Sequence, residues 1–259
     1  MKTHNYYKNL TNKLMQGFFV CLLLQSCYNE SVLFCGNPGA GKSTLCNSIF
    51  GKALFESGPS TGSGLTTVKK GLIHEGRLYI DTPGLNDMDP EKNKKYAKEI
   101  EKALKSNANY KIVFVAKLDS GRVRMTDFVT IQIVCNAIDV DPLEYGIIFN
   151  QISNKIIKKY GPTKEELEEK VLSAIKKSKK IEKKPASILI LEEDEALKDE
   201  DNMYMPEGNE KNRLLGFISN LKANNIKEDQ VKSIDVRDIE EIKQDLDKER
   251  KEGGCCCIQ

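Results

Sequence analysis

Between the apolar run Val32 to Cys35 and a stretch with helical spacing from Lys42 onward, the sequence reads Gly36-x-x-x-x-Gly41-Lys42-Ser43. No other feature restricts the fold as much. The glycines let successive backbone N–H groups curl around a phosphate, and the new helix adds its positive end. Strand, loop and helix must therefore follow in that order. Lys42 is expected to reach the β- and γ-phosphates of a nucleotide, and the Ser43 hydroxyl to coordinate Mg²⁺. The expected binding set is Gly36, Asn37, Pro38, Gly39, Ala40, Gly41, Lys42, Ser43 and Thr44. A phosphate loop alone does not separate GTPases from ATPases or nucleoside kinases.

A second element narrows the choice. "EGRLYIDTPGLND" places Asp81 at the end of the apolar strand Leu78 to Ile80, followed by Thr82-Pro83-Gly84. An Asp there binds Mg²⁺ through water, while the Gly84 N–H can sense a γ-phosphate. Between the two elements lies "GPSTGSGLTTVKKG", Gly58 to Gly71, small and polar. Its threonines could close over Mg²⁺ in the triphosphate state. The expected metal set is Ser43, Asp81 and one of these threonines.

"GKSTLCNSIFGKALFESG" resembles the avrRpt2-induced-gene family of GTPases, the immunity-associated (GIMAP) proteins of vertebrates. The family pattern, laid over this chain with one extra loop residue, puts the switch threonine on Thr66, with Thr67 next to it. "VFVAKLDSGRVRMTDFVTIQIV" (Val113 to Val134) is similar to the family's box beyond the second switch, with Gly121, Arg122, Thr126 and Asp127 at matching points. The resemblance covers roughly residues 31–153. It implies a G domain, GTP and GDP as ligands with Mg²⁺, and assembly of copies through the nucleotide face.

Two departures bear on function. The strand Tyr145 to Phe149 ends in "NQIS" rather than the Asn/Thr-Lys-x-Asp that reads guanine. Asn150 fits, Gln151 replaces Lys, and Ser153 replaces the Asp. A hydroxyl cannot accept guanine's two donors as a carboxylate does. At about 1.5–3 kcal/mol per charge-assisted bond, guanine preference falls about ten- to several-hundredfold. The end of "PASILIL" is the expected place of a third base-contacting loop, from topology alone. The other departure is Leu85, standing where many small GTPases carry a water-orienting Gln. Turnover is expected to be slow unless another residue or subunit helps. Arg122 and Asp87 are the alternatives, and Arg122 also reads as a plain surface or salt-bridge arginine.

Strands are expected near 31–36, 68–74, 77–81, 110–116, 145–150 and 186–191, with helices near 42–51, 91–107, 122–138, 163–178 and 209–223. That alternation implies an α/β fold of the P-loop NTPase class: a mostly parallel sheet, helices on both faces, and the ligand at the carboxyl ends of the strands. The organisation expected is an N-terminal extension (1–30), a G domain (31–225), a charged helical extension (226–252) and a flexible tail (253–259). In the extension, Val231, Ile234, Ile239, Ile242 and Leu246 suggest a long helix with a thin apolar seam.

The net charge is only +2, so no pull toward nucleic acid is expected. Lys176, Lys177, Lys179, Lys180, Lys183 and Lys184 form a basic run that reads as a solvated face or as a contact for anionic lipid. The cysteines show no paired CxxC spacing, which argues against a zinc site or a secreted disulfide framework. The apolar run Phe18 to Leu24 is too short to span a bilayer. It reads as a signal-peptide core, for a secretory protein, or as part of an amphipathic extension.

The sequence ends "EGGCCCIQ". Cys256-Cys257-Ile258-Gln259 fits a prenylation box, with farnesyl favoured by the terminal Gln and palmitoyl on Cys255 as the second anchor. Prenylation is cytosolic, so the tail argues against secretion. The expectation is a cytoplasmic protein held peripherally on a membrane, acting as a slow Mg²⁺-dependent GTPase switch or assembling scaffold. The alternatives are a scaffold that binds nucleotide with little hydrolysis, and an ATP-using P-loop NTPase.

Overall fold

A computed structural model describes residues 29–56, 69–87, 89–106, 109–178, 181–194, 197 and 204–236. In chain order the elements are β1 (Glu30–Gly36), α1 (Lys42–Phe50), β2 (Lys70–His74), β3 (Arg77–Asp81), α2 (Pro90–Leu104) and β4 (Asn109–Ala116). There follow β5 (Leu118–Asp119), β6 (Arg122–Val123), α3 (Met125–Asn136), β7 (Tyr145–Ile152) and α4 (Asn154–Tyr160). The last are α5 (Lys164–Lys177), β8 (Ser187–Glu192), α6 (Asn209–Asn220) and β9 (Asn224–Asn225).

The continuous apolar runs become the middle of the sheet, whose order is β2-β3-β1-β4-β7-β8. The strands β3, β1, β4, β7 and β8 are parallel, buried between helices on both faces. Among the described strands of this sheet, only the edge strand β2, against β3, and the short β9, against the start of β4, run antiparallel. Alternation along β1 divides its side chains between two cores. Val32 and Phe34 pack with Leu45 and Ile49 of α1 and Leu214 and Ile218 of α6. Leu33 and Cys35 face the opposite layer, with Ile100 of α2, Phe128 of α3 and Val171 of α5. This is the α/β fold of the P-loop class.

Local chemistry sets the helix ends. Asp89 caps α2 by accepting the Glu91 N–H at 2.9 Å, with Pro90 in the first turn. Thr163 caps α5 by accepting the Glu166 N–H at 3.2 Å. Two differences from the sequence reading have simple causes. The helix expected from residue 122 begins at Met125, because β5 and β6 form a hairpin whose turn, Ser120-Gly121, has positive φ at both residues. The unexpected α4 is only seven residues long and buries Ile157 alone, so it carries no periodic signal.

The long helix expected from Ile226 does not begin there. Residues 228–230 form one 3₁₀ turn, Val231 bridges to Ile138, and Lys232 N–H donates to Ala137 O at 2.8 Å. Ser233 and Ile234 then bond Glu101 of α2. Val231 and Ile234 are buried in the core, so burial on the domain overrides the weak helical spacing. Ile239, Ile242 and Leu246 lie outside the described residues, as do the apolar run 18–24, Thr66, Thr67, Cys255 and Cys256.

Candidate nucleotide site

Four neighbouring parallel strands end at one crevice. Gly36 closes β1, Asp81 closes β3, Lys117 follows β4, and Asn150 lies near the end of β7. Chain connections depart from β1 toward β3 on one side and reach β4 on the other. That is where an open α/β sheet accepts a ligand.

The phosphate loop fills this crevice. Lys42 is 6% exposed, and its ammonium donates to Gly36 O at 3.1 Å and Asn37 O at 3.0 Å. Burial pushes its pKa down, while nearby Asp81 pulls it back up. The result is a cation held at the base of the loop, bonded to two of its carbonyls. Gly41 has φ 96°, and a Cβ there would lie 2.3 Å from the Asn150 amide nitrogen, so only glycine fits. That amide donates to Ala40 O at 3.0 Å and ties β7 to the loop.

The expected metal ligands are brought together in part. Ser43 Oγ donates to Asp81 Oδ2 at 2.7 Å, and Asp81 is 1% exposed. A hydroxyl and a carboxylate at this separation are hard oxygen donors of the kind Mg²⁺ takes. Thr82 Oγ1 donates to Phe34 O at 2.7 Å and fixes the loop after β3 onto β1. Gly84 is buried against the phosphate loop; a Cβ on it would stand 2.3 Å from Pro38 N. Leu85 is fully buried in the core and faces no ligand space.

At the base-reading end, Gln151 has φ 59° and is exposed at an irregularity between Phe149 and Ile152. Ser153 is the N-cap of α4, with no side-chain capping bond. Neither residue is brought onto the phosphate loop as Asn150 is.

Asn86, Lys117, Arg124 and Thr130, which sequence reasoning did not single out, complete the crevice together with the expected Asn37 and Asp127. The Asn37 side chain donates to Asp127 Oδ1 at 2.6 Å and accepts from Thr130 Oγ1 at 2.6 Å and Asn86 Nδ2 at 3.1 Å. Asp127 Oδ2 accepts the Lys117 N–H at 3.0 Å. Burial pushes the Asp127 carboxyl up, and these bonds oppose it. Burial pushes the Lys117 ammonium down, and Arg124 adds to that shift. Asn37, Pro38, Ala40, Asn86, Asp87, Lys117, Arg124, Thr126 and Asp127 line a pocket of about 220 Å³ beside the phosphate loop. Arg122, by contrast, is exposed in the β5–β6 hairpin and does not line the pocket. Arg124 does, two residues further along the same segment.

The "NSI" and "GK" of the sequence motif also gain a physical role. Asn47 donates to Phe55 O at 2.9 Å and accepts the Leu54 and Phe55 N–H groups at 2.8 and 2.7 Å. Gly51 ends α1 in the left-handed region, at φ 63°. Together they turn the chain out of α1 toward the first switch.

Residues 30–158 match the AIG1 family. The chain carries an AIG1-type GTPase domain. Among curated relatives, the small ribosomal subunit biogenesis GTPase RsgA of Clostridium kluyveri is 28% identical over 88 residues, 32% of this chain and 31% of that protein. The chain thus spans less than a third of that relative. Among solved structures, Toc33 from Arabidopsis thaliana with GDP and Mg²⁺ is 20% identical, with TM-score 0.48, covering 83% of this chain and 95% of that one. NFeoB from S. thermophilus, bound to GDP·AlF₄⁻ and K⁺, is 14% identical with TM-score 0.45, covering 80% and 65%.

Proposed function

We propose that this AIG1-type protein is a Mg²⁺-dependent GTP-binding switch with slow turnover, attached to a membrane through its C-terminus. The observation that carries the nucleotide reading is the Ser43–Asp81 pair, 2.7 Å apart beside the buried Lys42. When bound, Mg²⁺ would be held by Ser43 and Asp81 and would neutralise charge on the phosphates. Lys42 holds the phosphate loop's own carbonyls and exchanges them for phosphate oxygens on binding. Guanine selection rests on Asn150 and backbone groups, because Gln151 and Ser153 supply no carboxylate. Slow turnover follows from Leu85, whose burial removes it from any attacking water.

Membrane attachment rests on the tail, with lipid on Cys256 and Cys255. The lysine run is a weaker second signal. Lys183 donates to Ile138 O at 2.6 Å and Lys184 to Ser178 O, so both stems are committed to the domain. Assembly through the nucleotide face is the family-based part of the reading, and it would place Arg124 and the pocket at the contact.

A second reading is a scaffold that binds GTP and scarcely hydrolyses it, and the burial of Leu85 favours it. Phosphate release by the full chain, with Mg²⁺ and with chelator, at low and high protein concentration, separates the two. Slow Mg²⁺-dependent release that rises with protein concentration supports an assembling GTPase. No release at either concentration refutes turnover and leaves the scaffold.

A further inference from the structure

Position 153 lacks the carboxylate that reads guanine, but the neighbouring strand brings one to the same end of the sheet. β7 and β8 run parallel, and after an irregularity beyond Phe149 their register resumes with Ile152 opposite Glu192. The next residue, Glu193, donates its backbone N–H to Ile152 O at 3.0 Å. That bond lays Glu193 alongside the link from Ile152 to Ser153. It is also the end of β8, where a third base-contacting loop is expected.

Alternation decides which of the two glutamates faces the crevice. Leu191 packs in the cluster that holds Ala40 of the phosphate loop and Leu45 of α1. Glu192 turns to the opposite layer, where its Oε1 accepts from Asn154 Nδ2 at 2.6 Å and its Oε2 meets Lys164 Nζ at 2.9 Å. Both its oxygens are engaged there. Glu193 follows the Leu191 side and is exposed. Its charge is felt in the crevice: burial pushes the Lys117 ammonium down and Arg124 adds to that, while Asp127 and Glu193 pull it back up. Lys117 follows Ala116, which pairs with Phe149, so the register carries it beside Asn150. Lys117, Asn150 and Glu193 thus mark the strand ends in order from β4 across β7 to β8. Asp127, the other carboxylate near Lys117, is excluded, because Asn37 and the Lys117 N–H occupy its two oxygens.

We propose that Glu193 reads the base, its carboxylate accepting the N1–H and 2-amino group of guanine in place of the missing aspartate. This assignment rests on the reading of the site as a guanine-nucleotide site, and it adds one residue to Asn150 and the backbone groups. Guanine presents two adjacent donors on that edge, and a carboxylate accepts both. Adenine presents one donor and one acceptor there, which sets a lone pair against a carboxylate oxygen. Glu193 reaches in from the neighbouring strand on a longer side chain than an aspartate on β7 would have. Ordering that side chain costs more, so the margin it gives guanine is smaller. Glu193 determines specificity, and phosphate binding stays with Lys42 and its loop.

The test is Glu193→Gln in the full chain, read by calorimetric titration of GTP, ITP, XTP and ATP with Mg²⁺. Glutamine keeps the shape and one acceptor but turns the other oxygen into a donor. Xanthine pairs its N1–H with a C2 carbonyl, which is the complement of an amide. The GTP-to-XTP affinity ratio should therefore fall about a hundredfold, with GTP about tenfold weaker and XTP about tenfold tighter. ITP lacks the 2-amino group, so it should bind the parent about tenfold more weakly than GTP, and the variant about equally. A GTP-to-XTP ratio within about threefold of the parent overturns the assignment. So does equal weakening of all four nucleotides, since that marks a structural role. If Glu193→Gln does not fold, Glu193→Ala replaces it: it should lose the GTP–ITP difference, and keeping that difference contradicts the proposal. A parent that binds GTP and ATP equally, with both lost in Lys42→Ala, overturns the base reading and leaves the nucleotide site standing. A parent that binds no nucleotide overturns the site and this assignment with it.

Discussion

Gly84→Ala tests how the second switch is seated. A Cβ on Gly84 would lie 2.3 Å from Pro38 N and 2.7 Å from Asn37 C and Pro38 Cδ. Two of these atoms are backbone and the third is a ring carbon, so none can swing aside. Ordinary contact begins at 3.4 Å, so the Asp-Thr-Pro-Gly loop must retreat by about 1 Å or the phosphate loop must deform. Overpacking of this kind costs about 1–3 kcal/mol. For a domain of this size that lowers Tm by about 2–12 °C. The same displacement separates Gly84 from the phosphate loop and pulls on Thr82, whose hydroxyl is bonded to Phe34 O. Nucleotide affinity should therefore fall along with Tm. Thermal unfolding and titration with a fluorescent GTP analogue measure the two effects on one sample. A variant that melts within about 1 °C of the parent and binds as tightly would show that the loop is not packed on Pro38.

Ser153→Asp should raise the preference for guanine over adenine by about tenfold or more, read by competition binding. It should not destabilise the protein, because Asp caps a helix as well as Ser and Ser153 makes no capping bond. The Cys35 thiol, pushed up to about 12 by burial, should be about one part in ten thousand thiolate at pH 8. Cys46 and Cys135 are shifted the same way for the same reason. Peptide mapping after iodoacetamide should leave these three unmodified in the native protein, and rapid labelling of Cys35 would contradict its packing. Cys256→Ser should release the protein from membranes entirely, while Cys255→Ser should only weaken attachment; fractionation reads both, and an unmodified C-terminal mass would rule the anchor out.

What the sequence made legible was whatever a local rule enforces. The phosphate loop was readable because glycine spacing, Lys42 and Ser43 must be contiguous for the chemistry to work. The central strands were readable because β4 and β7 are covered on both faces and are apolar throughout. Illegible parts depended on contacts between distant segments. Asn37 and Asp127 were each expected near the nucleotide, but nothing local showed that Asp127, 90 positions away, bonds the Asn37 amide. Arg124 differs from Arg122 only in which one the β5–β6 hairpin leaves beside the crevice. The C-terminal segment misled because Val231 and Ile234 have spacing that suits a weak helix. Their burial in the core decided against it, with Val231 bridged to Ile138 and Ile234 bonded to Glu101 of α2. Asp87 was within reach of sequence reasoning as an acid near the second switch. Only the structure shows the clamp that holds it, with Asn93 bonding both its backbone N–H and its carbonyl.

The most direct test of the central claim is a nucleotide competition series with Mg²⁺: labelled GTP bound to the full chain, challenged by excess GTP, ATP and XTP. The account predicts that GTP displaces the label best, by a smaller margin than a carboxylate at position 153 would give, and that Lys42→Ala binds none of the three. Equal displacement by ATP, or tight binding that survives Lys42→Ala, would contradict it.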